Sequence, residues 1–263
     1  MVHLQTKKLF RSILLIINYK TLIITALSVI SSYLCFKFQL TAAFPDALVG
    51  IAIVFPVVFS IGSAFNRREN ALKHLSDFHG HAVAIYYASR DWPTIKENDV
   101  PQRIKNICYQ MLVLMKIMLR KAHSEETSQA EMQMYQHFSE LSKIINELRL
   151  YGVQSGEVSR LNQYISKMVI AYDNIKMVHQ YRTPITLRAY SKVFIYIFPI
   201  IYGPYFANTF HTYSAQLEYV MPVLYSFILV SLDNIQDHLE HPFDEEGEDD
   251  IIIDVERTIK LLS

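Results

Sequence analysis

Glycine and proline are scarce in this chain, seven and nine of 263 residues. A β-sandwich or barrel needs turn signals about every ten residues, so there is too little punctuation for either. No alternating strand pattern and no internal repeat appears. Two cysteines exclude a disulfide scaffold. Cys35 sits in an apolar run and Cys108 in a polar stretch, two environments that argue against pairing them. Net charge is absent too, with 25 basic and 25 acidic residues. Nothing therefore pulls the whole chain toward nucleic acid or anionic lipid. Also missing are a Gly-rich phosphate loop, a nucleophile elbow, CxxC and HExxH, so no sequence feature supports an enzyme. His79 and His81 are two apart, and on a helix such residues point in different directions. His238 and His241 straddle one turn beside Glu240. Both pairs read as hydrogen-bonded or capping residues rather than metal ligands.

What the chain has is apolar length. Four runs, roughly 20–36, 47–65, 193–210 and 217–235, lie two at each end of a polar, helix-patterned middle. Each approaches the ~20 residues that carry a helix across ~30 Å of hydrocarbon. The layout predicts an all-α membrane protein, with four transmembrane helices arranged two plus two around a cytosolic helical region. The expected boundaries are 1–65, 66–189, 190–235 and 236–263. The runs read as nearly free of ionisable residues, which argues against a proton-coupled transporter, since that needs a buried carboxylate or histidine.

The first twenty residues are basic and apolar. Without a small-residue cleavage site, and with Asn18, Tyr19 and Lys20 interrupting the run, they read as a short interfacial helix rather than a signal peptide. Lys7, Lys8, Arg11 and Lys20, then Arg67, Arg68 and Lys73, then Arg182, Arg188 and Lys192 all fall on one side of the runs. The intervening loops, 37–46 and 207–216, hold one Lys and one Asp, and no basic residue, respectively. Positive charge stays inside, so both termini and the middle are expected in the cytoplasm. Tyr190, Tyr202, Tyr205, Phe206, Phe210 and Tyr219 stand where interfacial aromatic belts stand.

In the middle, 66–90 continues the second run without a breaker until Asp91-Trp92-Pro93. Pro101 suits a helix start, and 102–123 has an apolar face of Ile104, Ile107, Met111, Leu114 and Met118. Ser124-Glu125-Glu126-Thr127 is a break with capping chemistry. Phe138, Leu141, Ile144, Ile145 and Leu148 form the next face, Gly152 and Gly156 mark a turn, and 158–180 carries Leu161, Ile165, Met168, Val169, Tyr172 and Ile175 at helical spacing.

Three segments, taken together and in order, resemble the bestrophin family of anion channels. Ile61-Gly62-Ser63-Ala64-Phe65-Asn66-Arg67-Arg68-Glu69-Asn70-Ala71-Leu72-Lys73 is similar to the end of its pore helix. Arg182-Thr183-Pro184-Ile185-Thr186-Leu187-Arg188-Ala189-Tyr190 is similar to the bacterial Thr-Pro-Ile-Pro stretch. Glu240-His241-Pro242-Phe243, followed by the acidic 244–250, resembles the Asn-Pro-Phe-Gly and acidic run after the last crossing. The departures are His74 and Leu75 in place of the usual tryptophans, Thr186 in place of the second proline, Arg188 as an insertion, and Asp244 in place of glycine. They mark a divergent, bacterial-type member.

The resemblance implies one bestrophin-like domain, a homopentamer in a lipid bilayer, chloride as permeant ion, and a bacterial plasma membrane. It places an apolar pore neck at Val57, Ile61 and Phe65, and a cytoplasmic aperture at Ile185. Arg67, Arg68 and Lys73 would concentrate anions at the inner mouth. Glu246, Asp249 and Asp250 match the calcium clasp of animal relatives, since Ca²⁺ takes carboxylate and carbonyl oxygens. No other cofactor is implied. Plainer readings stand beside each of these: a lipid-facing stripe, a turn residue after Pro184, the positive-inside rule, and a solvated acidic run. The rival from another class is a membrane-anchored interaction protein with no pore.

Overall fold

The computed structural model describes residues 18–43, 46–120, 124–209, 217–245 and 250–262. The expected interfacial helix before Asn18 lies outside them. The described residues are helical, with no strand. The helices are α1 (Tyr19–Lys37), α2 (Asp46–Asp91), α3 (Val100–Arg120), α4 (Glu125–Glu147), α5 (Ser155–Gln180), α6 (Ile185–Thr209), α7 (Leu217–Glu240) and α8 (Val255–Leu261), with a 3₁₀ turn at Leu148–Tyr151.

Local chemistry sets the ends. Asn18 caps α1 by accepting from the backbone N–H groups of Lys20 and Thr21. Ser124 caps α4 in a capping box with Thr127, where the sequence places a break; such a cap is worth about 1 kcal/mol. The chain leaves the 3₁₀ turn through Gly152, at φ +87°. Gly156 is no turn residue; it lies inside the first turn of α5.

The chain forms two compact units: residues up to Asn66 with Arg182–Glu240, and Arg67–Tyr181 with His241–Ser263. The division falls within α2, which contributes to both. In the first unit, α1, α6, α7 and the first part of α2 enclose a core of Ile24, Ile53, Val57, Ile195, Phe198 and Val230. Gly50 abuts the Tyr202 hydroxyl, while Phe55 and Phe59 line a depression with Leu187 and Tyr190. The start of α2 therefore runs antiparallel to α6. A Cβ on Gly203 would collide with Ser31 Oγ; absence of a side chain there lets α6 lie close against α1, as small residues do between membrane helices.

The second unit packs the rest of α2 with α3, α4, α5 and the chain after His241. Its core draws on the faces read from the sequence: Ile104, Met111, Leu141, Ile145, Leu161 and Met168 are buried. Each such side chain contributes roughly 1.5–3 kcal/mol. Ile251 and Ile253 add the tail to this core, and the Ile251 N–H donates to the Pro242 carbonyl at 2.7 Å.

Three stretches of the described helices are long and apolar enough to cross a membrane, Tyr19–Lys37 and segments within Gly50–Asp91 and Ser155–Thr209. With its apolar helices, the chain is an integral membrane protein.

Candidate functional site

The expected neck residues do not share one surface. Val57 is 0% exposed, inside the core of the first unit. Ile61 is half-buried against that core, and Phe65 is 49% exposed. The helix itself supplies the reason. At 3.6 residues per turn, a step of four overshoots a full turn by about 40°. Two steps back from Phe65 carry Val57 about 80° around the helix and into the bundle. Spacings of four, three and four stay upright, and those positions are Val54, Val58, Ile61 and Phe65. Val54 is 46% and Val58 55% exposed. The apolar stripe that reaches surface through Phe65 thus runs over Val58 and Val54, while Val57 packs into the core of the first unit. Phe55 and Phe59 form a ring pair at 4.5 Å on the flank of that stripe.

Ile185 is the first residue of α6 and is 75% exposed. The Pro184 carbonyl accepts from the N–H groups of Leu187 and Arg188, which fixes the first turn. Just past it, Thr186, Leu187 and Tyr190 face Phe55, Pro56 and Phe59 across an open apolar depression of about 430 Å³.

The three basic positions have different fates. The Arg67 guanidinium donates to the Val178 carbonyl in the last turn of α5. Its charge is thus spent on a helix C-terminus, where cations are favoured. Arg68 pairs with Glu69 at 2.6 Å. Lys73 is exposed. Of the carboxylates matched to a calcium clasp, Glu246 and Asp249 lie outside the described residues and Asp250 is half-buried. Their neighbour Glu245 bridges Lys116 at 3.0 Å and Arg120 at 3.3 Å. Among the described residues no three His, Cys, Asp or Glu side chains gather as a metal site.

His79 approaches Thr258 of α8 at 3.5 Å, while His81 stacks on Tyr164. Cys35 and Cys108 are both free and buried.

Sequence reasoning missed the most unusual polar cluster. The fourth apolar run is not free of charge where it matters: Asp233 lies within it and is 3% exposed. One turn on, Asp237 accepts from Lys20 of α1 at 3.1 Å and from Lys192 of α6 at 3.1 Å. Glu240, 2% exposed, accepts from Arg188 at 2.7 Å and from Gln236 at 3.2 Å. Asn18 donates to Asn234 at 2.8 Å. One edge of α7 is thereby tied to both α1 and α6. The signal was available, since an acidic residue inside an apolar run faces the bundle interior.

No family model and no curated protein matches the sequence. Solved structures do. A bacterial bestrophin homologue from Klebsiella pneumoniae superposes with TM-score 0.78 at 16% identity, over 93% of this chain and 96% of that one. A single-residue variant of it gives 0.79 at 17% identity, over 92% and 97%. A crystal structure described as a membrane protein gives 0.75 at 16% identity, over 93% and 98%. The chain has the fold of these bestrophin homologues along nearly its whole length.

Proposed function

We propose that this chain is the pore-forming subunit of a passive anion channel. In this reading it is a homopentamer in a bacterial plasma membrane, with four crossings arranged two plus two, α7 being the fourth, and with both termini in the cytoplasm. The observation that carries the reading is the fold, shared with a bacterial bestrophin homologue over more than 90% of both chains. The exposed apolar stripe on α2 supports it. A central pore needs a helix face that its own subunit leaves open, and Val54, Val58, Ile61 and Phe65 supply one. An apolar constriction of this kind gates by dewetting. The edges of five Phe65 rings would present weak positive charge to a poorly hydrated anion such as chloride. Ile185, at the open end of α6, would form a second constriction. Lys73 and Arg68 would raise anion concentration near the inner mouth. Nothing in this scheme involves turnover chemistry, a cofactor or nucleic acid.

The test is chloride efflux from liposomes holding the purified protein, with Ile61→Ala and Phe65→Ala as variants and with and without a calcium chelator. Efflux that the variants change is the expected result. Loss of efflux on chelation would make the acidic 244–250 run a sensor. Absence of efflux from folded wild-type protein would sink the channel and leave the membrane-anchored interaction protein.

A further inference from the structure

We infer that Asp233 and Gln236 of α7 form a proton-binding site inside the bundle of α1, α6 and α7, with the proton carried on Asp233 and shared with Gln236. Two acceptors on one helix face carry it. Asp233 Oδ1 and Gln236 Oε1 are both without a hydrogen-bond partner, on side chains 3% and 1% exposed. Buried polar atoms are nearly always paired, and two orphaned acceptors cannot satisfy each other. What the pair lacks is a hydrogen. At a spacing of three they sit on neighbouring positions of the helix surface. A protonated Asp233 is a donor that Gln236 Oε1 can accept, directly or through one water. Gln236 already faces this way, because its Nε2 donates to Glu240.

The surrounding charges act on Asp233 only through space: Lys20 and Lys192 favour its ionised form, Asp237 and Glu240 its neutral form. From α1 comes Lys20, with Tyr196 of α6 near it. From α6 come Lys192 and Arg188, and from α7 itself Asp237 and Glu240; His238 on α7 is half-buried. Both lysines place their bonds on Asp237, and Arg188 on Glu240. None of these bonds reaches Asp233 Oδ1. A buried ionised carboxylate with an unmade hydrogen bond is costly, and binding a proton removes that charge. A metal ion is a poorer occupant. A hard cation collects about six oxygens, and here two are orphaned. Ser226, fully buried and also unpartnered at its hydroxyl, continues the same stripe seven residues earlier; it extends the polar seam toward the middle of the helix.

Losing the proton would put a second negative charge one turn from Asp237 on the edge that ties α7 to α1 and α6. The site therefore couples proton uptake to the docking of α7. Infrared difference spectroscopy of the full chain in nanodiscs at neutral pH tests this. The expected result is a protonated-carboxyl stretch in the wild type that is absent from Asp233→Asn and that moves to higher frequency in Gln236→Leu. Asparagine copies the shape of the neutral acid, so Asp233→Asn should keep its melting temperature while losing the alkaline part of its pH dependence. If Asp233→Asn does not fold, the wild-type spectrum against Gln236→Leu decides. A wild type without that band over its folded pH range overturns the proposal, and so does a band that Gln236→Leu leaves in place. Neither readout uses anion flux, so its failure is separate from failure of the channel.

Discussion

At the residue scale, backbone and burial make the sharpest statements. Gly152 sits at φ +87°, and a Cβ there would stand 2.8 Å from Thr94 Oγ1. Both the left-handed backbone and the contact disfavour a side chain. Gly152→Ala is expected to cost about 1–2 kcal/mol in chemical denaturation. Gly156 is the control, because a methyl added there would meet nothing within 4 Å. Gly156→Ala should be neutral or gain up to about 1 kcal/mol in helix propensity. Burial pushes the Cys108 thiol up to about 12. It is 1% exposed, and the thiolate is the reactive form. The folded protein should therefore resist alkylation at this cysteine at mildly alkaline pH and become reactive on unfolding. Mass spectrometry after an alkylation pulse reads this directly, and rapid labelling of the native protein would contradict it.

At the scale of elements, ion pairs and faces decide how helices meet. Arg103 in the first turn of α3 grips Glu147 at the end of α4 with two bonds, 2.6 and 3.1 Å. Those bonds hold the Glu147 carboxyl below its ordinary value of 4.5. A lowered folded-state value means stability that is present above the unfolded value and is lost as pH falls through the folded one. Both side chains are 38% exposed, so solvent screening limits the pair to well under about 1 kcal/mol. Glu147→Gln should lower the melting temperature slightly at neutral pH and flatten its fall below pH ~4.5. On α2, Val57 and Val58 are adjacent in sequence and opposite in environment. Val57→Ala should destabilise by about 1 kcal/mol or more through lost packing, with little direct effect on conduction. Val58→Ala should leave stability near wild type and change conductance. Paired melting and single-channel measurements separate the two, and the reverse pattern would put Val57 in the pore wall.

At the scale of the whole molecule, the chain passes between its two units at Asn66–Arg67, Tyr181–Arg182 and Glu240–His241. Each unit is therefore assembled from segments distant in sequence. The helices of the second unit were legible because each buries one apolar stripe at helical spacing. Ile104, Met111, Leu141, Leu161 and Met168 were read as core and are core. The first unit was less legible, for a physical reason. In runs that are apolar all round, periodicity does not tell the face against other helices from the face toward lipid or pore. Val57, read as a neck residue, lies in the core of the first unit. Asp233 was overlooked because a run taken as a crossing hides its own exceptions.

The sequence alone determined that this protein is helical, that it belongs in a membrane, and where some of its helices break, at Asp91 and Ser124, because length, hydropathy and capping act along the chain. It also carried the resemblance, which the shared fold supports. Only the tertiary structure decided which side of α2 is open and what neighbours Asp233 has. Helix rotation and the partners of a buried carboxylate depend on what packs from elsewhere: α1, α6 and α7 come from opposite ends of the chain, and no local pattern records their meeting.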